Sequence, residues 1–383
     1  MPAARAGEMN EREAYILLNM IPQIGPVRAR NLVGKLGSAP AVFQADPPRL
    51  QAVRGIGEEC VRAIREAAER GDPAAEEARA RRLNARIITW ADAEYPELLR
   101  RIPDPPLALY VRGQLDKRDR NALAIVGSRR CTLYGREVAE RFGFALARAG
   151  LTVVSGLARG IDSSAHRGAL KAGGRTTAVL GCGLDRISPP EAAELAQDVA
   201  RQGAVVSEYP LGRDPDRSTF PYRNRVISGL SRGVLVVEAG PGSGALITAD
   251  AALSQGRPVF AVPGRIDIPA SAGCHRLIKQ GARLVDRVDD IFEELLELDL
   301  GDGRAGAGGE SGGAGKLPVE LSEEEAQIVR ALESGTQDVD TLCRGTGLSS
   351  SRLSRLLVRL EFKRVVRMLP GRFVELAADV RVE

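Results

Sequence analysis

The 383-residue sequence predicts an α/β protein: a doubly wound parallel sheet, flanked by an N-terminal helical domain and a C-terminal winged helix. Three observations lead there. Between about 121 and 290, Val/Ile/Leu-rich runs alternate with amphipathic stretches, the pattern of strands covered on both faces by crossover helices. Before residue 80, two apolar-Gly turns each open a helical stretch. Residues 301–316, GDGRAGAGGESGGAGK, hold almost no apolar side chain and read as a flexible linker, so a separate domain follows them. The domains expected are therefore 1–80, 81–298 and 318–383, with 299–317 as linker.

In chain order, Ile21-Pro-Gln-Ile-Gly-Pro-Val-Arg28 leads into helix through Leu36, and Val53-Arg-Gly-Ile-Gly-Glu58 into helix through Ala68. An apolar-Gly turn at a helix start is the mark of a helix-hairpin-helix (SAM-like) unit, whose turn amides can hold a phosphate. Ile87-Ile-Thr89 and Leu107–Val111 add strands or a lead-in to the sheet. The expected sheet strands are Ala122–Val126, Leu151–Val154, Thr176–Leu180, Ala204–Val206, Gly233–Val237 and Pro258–Val262. Beyond the linker, Ser322 with Glu325 forms a capping box, helices follow at Asp338–Arg344 and Ser351–Phe362, and a hairpin turns at Pro370-Gly371. Arg352, Arg355 and Arg359 recur near helical spacing on the third helix.

Net charge is +4; residues 1–80 net zero, 81–298 net +6 and 318–383 net −1, so the positive excess sits on the sheet domain. Five dispersed cysteines without C-x-x-C, and only His166 and His275, argue against a zinc site or a disulfide framework. No signal pattern and no apolar run near 18 residues are present, and a cytoplasmic protein is expected.

Ligands of such sheets bind at the carboxyl ends of the strands. Four segments fall there: Gly127-Ser128-Arg129-Arg130, Ser155-Gly156-Leu-Ala-Arg159-Gly-Ile-Asp162, Phe220-Pro-Tyr-Arg223-Asn224-Arg225 ahead of a helix ending near Leu230, and Ala239-Gly-Pro-Gly-Ser243-Gly244 opening a helix at 245–255. Glycines, hydroxyls, helix starts and arginines together suit phosphates. Tyr209, Phe220 and Tyr222 lie beside Arg213 and Arg217, and rings next to guanidinium groups suit unstacked bases. Arg223 and Arg225 could equally pair with Glu208 or Glu238 as internal braces. No G-x-G-x-x-G stands at the first turn of the sheet and no G-x-x-x-x-G-K-[ST] occurs, so no nucleotide cofactor is expected. Ser155, Asp162 and His166 could be read as a triad, but the G-x-S-x-G elbow is missing; Asp162 capping the helix and His166 packing against it is the expectation, with no catalytic or metal residue.

Read together, Gly127-Ser-Arg129, Ser155–Asp162 with Ala165-His166, Ser207-Glu208, Phe220–Arg225, Ser243-Gly244 and Ala261-Val-Pro-Gly264 closely resemble the DNA-processing protein A (Smf) family over residues 85–290. The resemblance implies a Rossmann-like domain and a non-enzymatic binder of single-stranded DNA in natural transformation. Such a protein protects incoming strands, works around single-strand-binding protein, loads the RecA recombinase and acts as a homodimer. Carried onto this chain, the strand pocket uses Gly127, Ser128, Arg129, Ser155, Gly156, Arg217, Phe220 and Arg223 to Arg225, with Lys171 as an addition; Arg159, Ser243 and Gly244 join from the loop chemistry. The chain departs from the family at Ser188-Pro-Pro-Glu-Ala192, where a Tyr-Pro-x-x-Asn run is common. An alternative is a nucleotide phosphoribohydrolase of the lysine-decarboxylase-like type, which Pro241-Gly-Ser-Gly244 resembles without its Gly-Gly pair; Asp250 is the nearest acid. Another is a scaffold whose winged helix binds only protein.

Overall fold

Asn10 starts the first helix by accepting a bond from the Glu13 amide (2.9 Å), while the Glu13 carboxylate accepts from the Asn10 amide (3.0 Å). In the computed structural model, which describes residues 9–301, 321–333, 335–362, 365–369 and 372–377, this opens a run of six helices. They are α1 (Glu11–Met20), α2 (Pro26–Leu36), α3 (Ala39–Gln44), α4 (Pro47–Gln51), α5 (Glu58–Arg70) and α6 (Pro73–Arg82). Gly25 and Gly57 are the N-caps of α2 and α5, as the two turns required. The apolar residues of those turns, Ile21, Ile24, Val53 and Ile56, are buried with Leu18, Leu32, Leu50 and Ile64. The turn spacing is thus set by what the small helical core needs to cover.

The sheet follows: β1 (Ala85–Thr89), α7 (Glu97–Arg100), β2 (Ala108–Gly113), β3 (Ala122–Val126), α8 (Leu133–Arg148), β4 (Thr152–Ser155), α9 (Ile161–Lys171) and β5 (Thr176–Leu180). It continues with α10 (Ala193–Gln202), β6 (Ala204–Ser207), α11 (Thr219–Gly229), β7 (Val234–Val236), α12 (Gly244–Ser254), β8 (Val259–Ala261), α13 (Ala272–Lys279) and β9 (Arg283–Leu284). The strand order is β1-β2-β6-β5-β4-β3-β7-β8-β9. All six expected strands are present and pair in parallel; the 81–120 lead-in becomes two antiparallel edge strands, with Tyr110 opposite Ser207 of β6. One apolar layer joins Val126, Val154, Val206 and Val236 to Val226 and Ile227 of α11, to Leu230 at its C-cap and to Leu246 of α12. The other joins Ala178, Leu180 and Val205 to Leu195, Ala196 and Val199 of α10. Both faces are covered, which is why these strands lack polar alternation. Crossovers run one way from β3 through β4 to β6 and the other way from β7 to β8, so β3 and β7 flank the switch point of a Rossmann-like sheet.

Contacts divide the chain into residues 1–283 and 284–383. The second unit begins with α14 (Val288–Gly301) and holds α15 (Glu323–Leu332), β10 (Gln337–Asp338), α16 (Val339–Thr346), α17 (Ser350–Phe362), β11 (Val366–Leu369) and β12 (Phe373–Leu376). Three helices and a hairpin form the expected winged helix, the Ser322–Glu325 capping box included, and β10 adds a third strand beside β12. The Pro370-Gly371 turn, the linker beyond residue 301 and the side chains of Arg355 and Arg359 lie outside the described residues.

Candidate nucleic-acid interface

The loop after β3 is shaped by close approach. A Cβ on Gly127 would stand 2.5 Å from Ile161 Cγ1 and 2.9 Å from the Glu238 carbonyl, so no larger residue fits. The Ser128 amide donates to that same carbonyl (2.7 Å), and the Ser128 hydroxyl accepts from the Arg130 amide (3.1 Å). Glu238 also accepts from the Thr132 amide (2.9 Å) and from the Thr132 hydroxyl with its buried carboxylate. One residue following β7 therefore ties together the two loops that part at the switch point. The sequence offered Glu238 only as a partner for Arg223 or Arg225; the hydroxyl at 132, the N-cap of α8, was the available signal.

Between these loops opens a cleft of about 720 Å³ lined by Gly127 to Arg130, Gly240 to Gly244, and Arg217, Phe220, Arg223 and Asn224. The Arg129 guanidinium lies over the Phe220 ring, 4.9 Å from its centroid. Arg129, Arg130 and Arg217 are exposed and form no ion pair among the described residues. Ser243 caps α12 by accepting from the Ala245 amide (3.4 Å), and the Asn224 side-chain amide donates to the Gly244 carbonyl (3.1 Å). The start of α12 thus faces the cleft with its positive end. Phe220-Pro-Tyr-Arg-Asn-Arg225 is not a loop before a helix, as expected, but the opening of α11 itself. Pro221 falls in the first turn, where no intrahelical N–H is lost.

The Ser155–Asp162 segment is built differently from the sequence expectation. Asp162 does not cap α9; the N-cap is Gly160, at φ 80°, and the Asp162 carboxylate accepts from the Gly156 (3.2 Å) and Ala158 (3.4 Å) amides. Arg223 is 4% exposed and donates to the Gly156 carbonyl (2.9 Å) and to the Val179 carbonyl. The Ser155 hydroxyl, fully buried, donates to the Ile125 carbonyl (2.6 Å). The amides and hydroxyl assigned to phosphate are therefore occupied from within by a buried carboxylate and a strand carbonyl. Burial pushes the Asp162 carboxyl above its ordinary value, against the pull of the Arg223 charge and the two amides.

Arg225 proves to be the brace of the pair. It is 7% exposed, ion-paired with Glu208 and with Asp104 (3.0 Å), and its guanidinium covers the Tyr222 ring at 4.1 Å. Lys171 ends α9 in an ion pair with Glu140 and does not line the cleft. Arg159 pairs with Glu191, in the segment where the chain departs from the family pattern, and lines a separate hollow of about 250 Å³ that shares Arg129 with the cleft. Asp250 is exposed on α12 and lines neither.

His166 belongs to no triad. Its Nδ1 lies 2.7 Å from the Thr176 hydroxyl, which donates to the Val153 carbonyl (2.7 Å), so Nδ1 carries the hydrogen. Burial lowers its pKa to about 3. Because the folded value lies below the unfolded value near 6.5, the unfolded chain takes up the proton first. The stability this neutral imidazole contributes is complete above pH 6.5 and is lost as pH falls toward 3. Thermal melts across that range should show a shallower acid limb in His166→Gln than in the parent chain. Equal limbs would mean that His166 is not held neutral. No group of three metal-binding side chains occurs among the described residues, and no helix there is long and apolar enough to cross a membrane.

With this geometry in hand, the chain can be set beside known proteins. The DNA recombination-mediator protein A family matches over residues 86–296, the DprA winged helix domain over 314–372 and a SAM-like helix-hairpin-helix tandem over 15–70. Protein Smf of Synechocystis is 34% identical over 94% of this chain and 98% of its own length. DNA processing protein DprA of Bacillus subtilis is 42% identical over 56% of this chain and 72% of its own length. The crystal structure of DprA from Streptococcus pneumoniae superposes with a TM-score of 0.64 at 33% identity, covering 75% of this chain and 98% of that one. Matched across its sheet and both flanking domains, the chain belongs to the DNA recombination-mediator protein A family.

Proposed function

We propose that the switch-point cleft binds single-stranded DNA without sequence preference. Phosphates lie along Arg129, Arg130 and Arg217 and at the start of α12, and a base stacks on Phe220. One observation carries this reading: three arginines with no counter-ion among the described residues surround a cleft floored by an aromatic ring that one of them already covers. A duplex keeps its bases stacked inside, so only an unpaired strand can use the ring. Relatives named for DNA processing support the same reading. In this reading the strand is held rather than cut.

Salt titration tests the charge component. With three phosphates neutralised, log affinity should fall against log salt with a slope of about −2. A salt-independent affinity for an oligonucleotide would remove the arginines from the site.

The finer role is recombination mediation. The protein, as a homodimer, shields incoming single strands during transformation, works around single-strand-binding protein and delivers the strand to RecA. Membership of a mediator family supports this. RecA filament formation on DNA coated with single-strand-binding protein should start sooner when the protein is added; an unchanged lag would leave strand binding and discard loading.

A further inference from the structure

We infer that the hollow beside the cleft is a second phosphate station, so that a strand leaving the cleft over Arg129 runs on across the start of α9. The inference rests on the cleft reading, which it extends. Arg129, Arg136, Arg159 and Arg167 stand around this hollow of about 250 Å³ with a single acid, Glu191. They reach it from the loop after β3, from α8, from the residue before the N-cap of α9 and from α9 itself. The two helices hold their arginines in fixed places because they meet backbone to backbone. A Cβ on Gly143 of α8 would run into the Ala165 carbonyl, and one on Gly168 of α9 into the Glu140 carbonyl.

All four arginines are exposed, and Arg129, Arg136 and Arg167 form no ion pair among the described residues. Like charges gathered round one concavity repel one another and raise its potential, and an anion relieves that repulsion. The positive end of α9 adds to the field, since Gly160 and Ser163 of its first turn line the hollow. Glu191 neutralises only Arg159, and both side chains of that pair are more than half exposed. Water weakens such a pair, so a phosphate can take the place of the carboxylate. Glu191 lies in the Ser188–Ala192 segment, where the chain departs from the family pattern, so this wall of the hollow is the chain's own. Arg129 lines both spaces, which puts the hollow next in line for the backbone of a strand held in the cleft.

The test uses the full chain and mixed-sequence single strands in a length series from about 4 to about 16 nucleotides. R136A/R167A should bind the shortest strands as the parent chain does. On the longest it should bind more weakly, with a salt slope flatter by about 1.4, the share of two phosphates. Glu191→Gln should act in the opposite sense, binding the longest strands more tightly with a slope steeper by about 0.7 as Arg159 is released. Arg129→Ala should weaken strands of every length. An equal loss at all lengths in R136A/R167A, no loss at the longest, or no gain from Glu191→Gln overturns the inference. If Arg129→Ala still weakens every strand in that case, the cleft reading stands without the hollow; if Arg129→Ala binds like the parent, both fall.

Discussion

Phe220→Ala should weaken binding of a mixed-sequence single strand by about 5- to 150-fold, the equivalent of roughly 1–3 kcal/mol of base stacking. The ring is only partly buried, and the first turn of α11 is held by contacts that do not involve it. Thr219 Oγ1 donates to the Asp216 carbonyl (3.0 Å), and the Asn224 side-chain amide donates to the Gly244 carbonyl (3.1 Å). Loss of affinity should therefore come without loss of the fold, which circular dichroism of the same sample checks. Arg129→Ala should act in the same assay by a second route: it removes one phosphate contact and flattens the salt slope by about 0.7. It also uncovers the ring that it now shields at 4.9 Å. If both variants bind oligonucleotide as the parent chain does, the strand does not lie in this cleft.

Glu208→Ala should destabilise the protein by about 3–5 kcal/mol, the cost of leaving a buried cation without its partner. Arg225 is 7% exposed and Glu208 6%, and the second carboxylate at Asp104 (3.0 Å) holds only part of the charge. The expected fall in melting temperature is on the order of 10 °C. Glu208→Gln, which keeps a hydrogen-bond acceptor, should fall less. Strand affinity measured below the transition should stay near that of the parent, because Arg225 does not line the cleft. A melting temperature within a degree of the parent chain, or a fall in affinity as large as that of Arg129→Ala, would return Arg225 to the binding surface.

These two variants separate arginines that look alike in the sequence. Positions 129, 159, 223 and 225 all stand in glycine- or aromatic-rich segments near strand ends. The structure leaves Arg129 in the cleft, pairs Arg159 with Glu191, buries Arg223 beneath the Gly156 loop and locks Arg225 between Glu208 and Asp104. Nothing local distinguishes them. Arg223 reaches a carbonyl 67 residues away, and Arg225 a carboxylate 17 residues away. The Ser155–Asp162 segment misleads for the same reason. Its glycines and hydroxyl fit a phosphate, but Asp162 is close enough to fill the site itself. Phe220 was legible because an aromatic ring among arginines is uncommon in a chain with 4% aromatic residues.

The sequence by itself determined the sheet, both flanking domains and the sheet edge at which the cleft opens. Those follow from periodicity, from continuous apolar strands and from capping signals such as Ser322 with Glu325, all set by neighbours within a few residues. Only the tertiary structure decided which charges remain available to a strand. An ion pair or a filled amide nest requires partners within about 4 Å, and here that proximity arises when loops far apart in the chain meet at the switch point between β3 and β7.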